Sequence, residues 1–106
     1  MAARKAWTLD EVVKLLDANR RRATYGAVAG VVGGNPRGLM RNRSGWYENS
    51  WVVAATSNRG SGSKRGRATG YRDDQIHPDC LEQIRTSPRD FIADADELRR
   101  WLESVT

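Results

Sequence analysis

The sequence predicts a small α+β domain occupying a single unit from residue 1 to residue 106. Three observations predict it. A chain of 106 residues has room for one modest core and no second domain. Several stretches carry apolar residues at helical spacing behind recognisable capping residues. One run, Ser50 to Ser57, is apolar and β-branched enough to form a buried strand.

The first helix begins in WTLDEVVKLLDANRRR. Thr8 followed three residues later by Glu11 is a capping box, and Trp7 and Val12 are placed to form the hydrophobic staple beside it. Leu9, Val12, Val13, Leu15 and Leu16 make the apolar face, opposite Asp10, Glu11, Lys14 and Asp17. TYGAVAGVVGG predicts a second helix from near Thr24, with Val28, Val31 and Val32 inward and Gly33-Gly34 as its stop. In NPRGLMRNR, Asn35 can cap and Pro36 suits a first helical position, which predicts a third helix over Pro36 to Arg43. Helix, glycine turn and helix form a helix-turn-helix.

After the strand at Ser50, the stretch SNRGSGSKRGRATG has no apolar anchor and predicts a mobile hairpin tip, with a wing over Asn58 to Arg67. YRDDQIHP is either the returning strand or an irregular segment. PDCLEQIR predicts a short helix with Leu81 and Ile84 inward. The last helix is capped by Asp94, with Glu97 completing a second capping box and Leu98, Trp101 and Leu102 as its buried stripe. A helix-turn-helix followed by a basic two-stranded β-wing and a C-terminal helix is a winged-helix domain.

Charge is polarised along the chain. Met1 to Arg72 holds 14 basic and 4 acidic residues, a net of +10, whereas Asp73 to Thr106 holds 4 basic and 9 acidic, a net of −5. A basic body of this kind suits a phosphate-bearing partner, because neutralising phosphates releases counterions. Arg37, Arg41 and Arg43 fall on the expected recognition helix and just beyond it, and Arg59, Lys64, Arg65 and Arg67 load the wing. Arg20, Arg21 and Arg22 read equally as a charged helix end or as phosphate contacts. Tyr25, beside a helix cap, reads equally as a phosphate-contacting hydroxyl or as a packed ring.

The chemistry-bearing inventory is small. The single cysteine, Cys80, excludes an internal disulfide and, with the single histidine, His77, leaves little for a metal cage, so no cofactor or metal is expected. IHPDC reads as a helix entry with a buried Cys80 rather than a catalytic cluster. Asp73 and Asp74 are the carboxylates a nuclease would use, but neighbours on an extended segment face opposite ways. No apolar run approaches the roughly 20 residues that cross a bilayer and the N-terminus lacks an apolar signal segment, so a soluble, cytoplasmic protein without a membrane partner is expected.

The ordered set TYG, GNPRGLM, WVV and GY, spanning Arg22 to Tyr71, resembles the DNA-binding domain of alkylguanine DNA alkyltransferases and, more closely in length, the alkyltransferase-like proteins. The resemblance implies a winged helix that enters the minor groove and turns a damaged base into a pocket, a role in DNA repair by damage recognition. It implies that Tyr25 contacts a phosphate and that Met40, with Arg41 beside it, stands where the family keeps an intercalating arginine. A methionine can act as an apolar wedge. Matching WVV to the family's active-site strand puts Asn49 at the acceptor-cysteine position and Ser50 at that of its histidine. Neither supplies the activated thiolate that alkyl transfer requires. The expectation is therefore a non-enzymatic protein that binds double-stranded DNA, with Asn49, Ser50, Trp51 and Tyr71 as a base pocket. The alternatives are a DNA-binding regulator or phage-type accessory protein without base flipping, and a protein-interaction module whose basic face docks an acidic protein partner.

Overall fold

The computed structural model describes residues 6–35, 38–40, 43, 45–54, 68, 71–87 and 89–106. Its elements are α1 (Leu9–Asn19), β1 (Ala23–Thr24), α2 (Tyr25–Val32), α3 (Trp46–Asn49), β2 (Val52–Val53), α4 (Pro78–Thr86) and α5 (Ala95–Ser104), with a 3-10 turn at Asp73–Gln75 before α4. It is a small α-rich α+β domain of five helices and a two-stranded parallel sheet among the described residues.

Local sequence accounts for the helix starts. The Thr8 hydroxyl accepts from the Glu11 N–H at 3.2 Å while the Glu11 carboxylate accepts from the Thr8 N–H at 3.1 Å, the reciprocal box the sequence predicts. The Thr24 hydroxyl accepts from the Ala27 N–H at 3.0 Å and starts α2 at Tyr25. Gly33 ends that helix at φ +78°, a left-handed conformation that favours glycine. The Asp94 carboxylate accepts from the Glu97 N–H at 3.0 Å and starts α5.

The sheet is the centre of the molecule. Ala23 and Thr24 pair in parallel with Val52 and Val53, and all four are buried. The Ala23 N–H donates to the Trp51 carbonyl at 2.9 Å, while the Thr24 N–H turns the other way and donates to the Ile92 carbonyl at 2.9 Å. β1 therefore lies between β2 and the Ile92 segment, so its backbone donors are satisfied on both sides. Around it, Val12, Val13 and Leu16 of α1, Val28 and Val31 of α2, and Leu98 and Leu102 of α5 bury their apolar faces. α2 packs chiefly on α5, and Gly30 lets it come close: a β-carbon there would lie 2.6 Å from that of Ala95.

Two expectations need correction. Gly38, Leu39 and Met40 lie in a turn rather than in a helix over Pro36 to Arg43. The Gly38 N–H donates to the Asn35 carbonyl at 3.1 Å and the Arg43 N–H to the Met40 carbonyl at 3.2 Å, three residues apart in each case. Glycine raises the cost of a helical turn, and the neighbouring pair Leu39-Met40 is too short an apolar set to stabilise one by packing. The next helix among the described residues is α3 (Trp46–Asn49), which the sequence reading did not anticipate.

Of the strand expected over Ser50 to Ser57, the described residues show Val52–Val53, which pairs in parallel with β1, and of the two readings of Tyr71 to Pro78 the structure takes the irregular one rather than the returning strand. Asp73-Asp74 disfavours extended pairing, so that segment turns as a 3-10 helix and Pro78 opens α4. Neighbouring valines that are both buried belong to an interior strand rather than to a solvent-facing ribbon. The wing at Asn58 to Arg67 lies outside the described residues, as do Arg37 and Arg41.

Candidate nucleic-acid interface

The arginine run that closes α1 passes from surface to interior, with Arg20 exposed, Arg21 half-buried and Arg22 buried. Arg20 sits in the left-handed C-cap position at φ 54°, and its guanidinium donates to the Asp79 carboxylate at 2.9 Å. Arg21 donates to the Asp90 carboxylate at 2.8 Å. Arg22 is fully buried, its guanidinium donating to the Ser87 carbonyl and, at 3.2 Å, to the Asp90 carbonyl, 5.9 Å from the centre of the Phe91 ring. Burial lowers the Arg22 pKa, and the hydrogen bond from Arg21 holds the Asp90 carboxyl below its ordinary value. Arg20 is the C-cap of α1, as the helix-end reading has it, and the run also reaches beyond its own helix. It clasps the segment between Asp79 and Asp90 to the body, so part of the charge polarity along the chain is neutralised internally.

Arg43 is likewise engaged. Its side chain is only 18% exposed, and its guanidinium donates to the Asn49 side-chain carbonyl at 2.9 Å. It also lies 3.5 Å from the Asp10 carboxylate and 3.7 Å from that of Glu48. Arg43 thus ties the turn at Gly38 to Met40 to α1 and α3. Met40 and Tyr25 are both half-buried and packed against the core, Tyr25 as the first residue of α2.

Of the four expected pocket residues, three consecutive ones, Asn49, Ser50 and Trp51, are buried. Asn49 is buried and held by Arg43. Ser50 is fully buried; its hydroxyl donates to the Tyr47 carbonyl at 2.6 Å and accepts from the His77 N–H at 3.1 Å. Trp51 is fully buried, with its indole N–H on the Asp17 carboxylate at 2.8 Å. Tyr71 is half-buried and packs against the same core. In this arrangement Asn49, Ser50 and Trp51 are parts of the core rather than the walls of an open cavity.

IHPDC is a helix entry. The His77 Nδ1 accepts from the Asp79 N–H at 3.0 Å and caps α4, and the Cys80 thiol donates to the Ser50 carbonyl at 3.4 Å. Burial pushes the Cys80 thiol up to about 11, which leaves it protonated and unreactive near neutrality. Asp73 and Asp74 stand on the 3-10 turn, with Asp74 paired to Arg72 at 3.1 Å. Among the described residues no group of three or more histidine, cysteine, aspartate or glutamate side chains is placed to hold a metal ion. No helix among them is long and apolar enough to cross a membrane.

What the sequence reading missed is α3. Trp46 is 55% exposed and Tyr47 49% exposed, the large apolar side chains that the described surface shows most openly. The Tyr47 ring lies 5.8 Å from that of His77, which lies 5.3 Å from that of Trp51, so a run of rings leads from the surface to the core. The GWYENSW stretch carried the signal: Gly45, a stop and restart, ahead of two adjacent aromatics in an otherwise polar stretch.

Comparison with protein-family models, with curated proteins and with solved structures finds no match to this chain.

Proposed function

We propose that this protein is a non-enzymatic binder of double-stranded DNA. One observation carries the reading. The arginines at 20–22 are engaged with the Asp79 to Asp90 segment. Meanwhile Asn35 to Arg67 holds, besides the engaged Arg43, six basic residues against one acid, Glu48, a net of +5. A positive excess confined to one stretch of chain is the arrangement that phosphate neutralisation rewards. In this reading Pro36 to Arg43 approaches a groove and Asn58 to Arg67 follows the phosphate backbone as the wing of a winged-helix domain in the cytoplasm.

The resemblance to alkyltransferase-like proteins extends the reading to alkylated guanine or distorted duplex as the preferred target. A second reading, duplex binding without base flipping, is favoured by the burial of Asn49, Ser50 and Trp51, because a flipped base would have to displace packed core residues. A fluorescence-anisotropy comparison of plain and alkylguanine-containing duplexes separates the two. Tighter binding to the lesion supports damage recognition, and equal binding supports the plain duplex binder. Absence of binding to either duplex at low salt overturns the DNA reading and leaves the protein-interaction module.

A further inference from the structure

We infer that α3 (Trp46–Asn49) is a stacking platform for unpaired bases of single-stranded DNA adjoining a duplex, with Trp46 and Tyr47 as the side chains that touch the bases. The inference rests on the DNA-binding reading and adds to it a second kind of contact.

Two large aromatic side chains about half exposed on one short helix are costly to leave in water unless something covers them. Nothing in the packing forces them outward through looseness. The inward residue of the helix and its C-cap are locked, Asn49 by the Arg43 guanidinium at 2.9 Å and Ser50 by its bonds to the Tyr47 carbonyl and the His77 N–H. Backbone bonds fix the turn as well, from the Asn49 N–H to the Gly45 carbonyl at 3.1 Å and from the Ser50 N–H to the Trp46 carbonyl at 2.9 Å. Behind Tyr47, the His77 and Trp51 rings form a tilted stack anchored at Asp17. The backbone that carries the two rings is fixed before anything binds, so binding costs little backbone ordering entropy.

Charge decides what covers it. α3 follows in sequence on the basic positions Arg37 and Arg41, with Arg43 itself engaged by Asn49, Asp10 and Glu48, and the chain resumes its basic character at Arg59. A purely apolar protein partner would gain nothing from that flanking charge, whereas a nucleic acid strand satisfies both features, phosphates on the cations and base faces on the rings. Bases within a duplex are already stacked on one another, so exposed aromatic faces select bases that lack a partner. Stacking on aromatics is sequence-tolerant.

The test uses the full chain and three duplexes that share one sequence: blunt, extended by a short oligo-dT strand, and extended by an abasic strand of the same length. The abasic extension supplies the same phosphates without bases. The dT extension is expected to bind about fivefold or more tightly than the abasic one, a difference lost in Trp46→Ala and Tyr47→Ala and kept in Tyr47→Phe. Oligo-dT is also expected to quench tryptophan fluorescence, and Trp46→Phe to remove most of the quench, since of the other three tryptophans Trp7 and Trp51 are buried and Trp101 is half-buried against the core. Thermal unfolding checks that the variants stay folded. Equal affinity for the dT and abasic extensions alongside sound duplex binding overturns the platform and leaves the DNA reading standing. Failure of every duplex to bind overturns both. Self-association that Trp46→Ala abolishes, without any preference for dT, assigns the face to a second copy of the chain and overturns the proposal.

Discussion

The Trp51 indole N–H donates to the Asp17 carboxylate at 2.8 Å, joining the residue before β2 to the last turn of α1 across the buried centre of the domain. An indole at this depth requires an acceptor, and Asp17 provides one that is charged. Trp51→Phe keeps most of the ring's volume but removes the donor. It is expected to cost about 1–3 kcal/mol in urea unfolding. Asp17→Asn, which retains a side-chain acceptor, should cost less than Asp17→Ala. A double-mutant cycle that finds no coupling between positions 17 and 51 contradicts this account.

Arg22 is the buried cation of the clasp. Truncation to alanine leaves two carbonyls, those of Ser87 and Asp90, without their guanidinium donor and opens a void beside Phe91. The expected loss is about 3 kcal/mol or more, larger than that of Arg21→Ala, whose partner Asp90 is a surface carboxylate. Equal losses at the two positions, measured by chemical denaturation, would show that burial of Arg22 contributes nothing of its own.

Gly30 marks the closest approach of α2 to α5. Gly30→Ala would gain roughly 1 kcal/mol of helix propensity in an open position, but here the added carbon would sit 2.6 Å from the Ala95 β-carbon. Net destabilisation of about 1–2 kcal/mol is expected as the helices separate. Ala95→Gly introduced into Gly30→Ala should restore part of it, and thermal melts of the four variants read the rescue directly.

Two groups give the protein a pH signature. The folded Cys80 thiol titrates near 11, above its ordinary value of 9.0, because burial penalises the thiolate. Its contribution is therefore complete below about pH 9 and is lost as pH rises toward 11, where the unfolded thiol ionises first. Stability should fall across that window less steeply in Cys80→Ser than in the parent, and native Cys80 should resist a thiol reagent at pH 8 that labels it in urea. Asp90 acts at the other end. Its folded pKa is depressed by Arg21, so its contribution is present above the ordinary aspartate range and disappears as pH falls below about 4. Asp90 is largely exposed, so Asp90→Asn should cost only about 0.5 kcal/mol at neutral pH.

For the DNA reading, Arg37→Ala with Arg41→Ala should weaken duplex binding and lower the slope of log affinity against log salt by about two units, one for each phosphate no longer neutralised. Arg21→Ala should leave the slope unchanged, because its guanidinium is already committed to Asp90. An unchanged slope in the double variant removes Pro36 to Arg43 from the interface.

Much of the helical content was legible in single residues. Thr8 with Glu11, Thr24, Gly33 and Asp94 mark element ends through bonds to backbone groups within a few positions, so local sequence suffices to place them. The apolar stripes of α1 and α5 were equally plain. By contrast, Gly38 to Met40 carried a helix-like entry, Asn35-Pro36, without the apolar spacing that would continue it, and the entry alone misled. The candidate site was the least legible part. Arg20, Arg21, Arg22 and Arg43 resemble surface cations in sequence, and nothing nearby in the chain reveals that Asp79, Asp90 and Asn49 receive three of them.

By itself, then, the sequence determined where most helices start, which of their faces are apolar, and that positive charge gathers between Asn35 and Arg67. These properties depend on neighbours within a turn or on composition. Only the tertiary structure decided that β2 pairs in parallel with β1, that Trp51 points into the core toward Asp17, and that the arginine run closes onto the Asp79 to Asp90 segment. It also decided that Trp46 and Tyr47 face water while Asn49 and Ser50 are buried. Each of these is a pairing between residues far apart in the chain or a choice of which side of a short element meets the core, and such choices are settled by packing and by the need to satisfy every buried polar group at once.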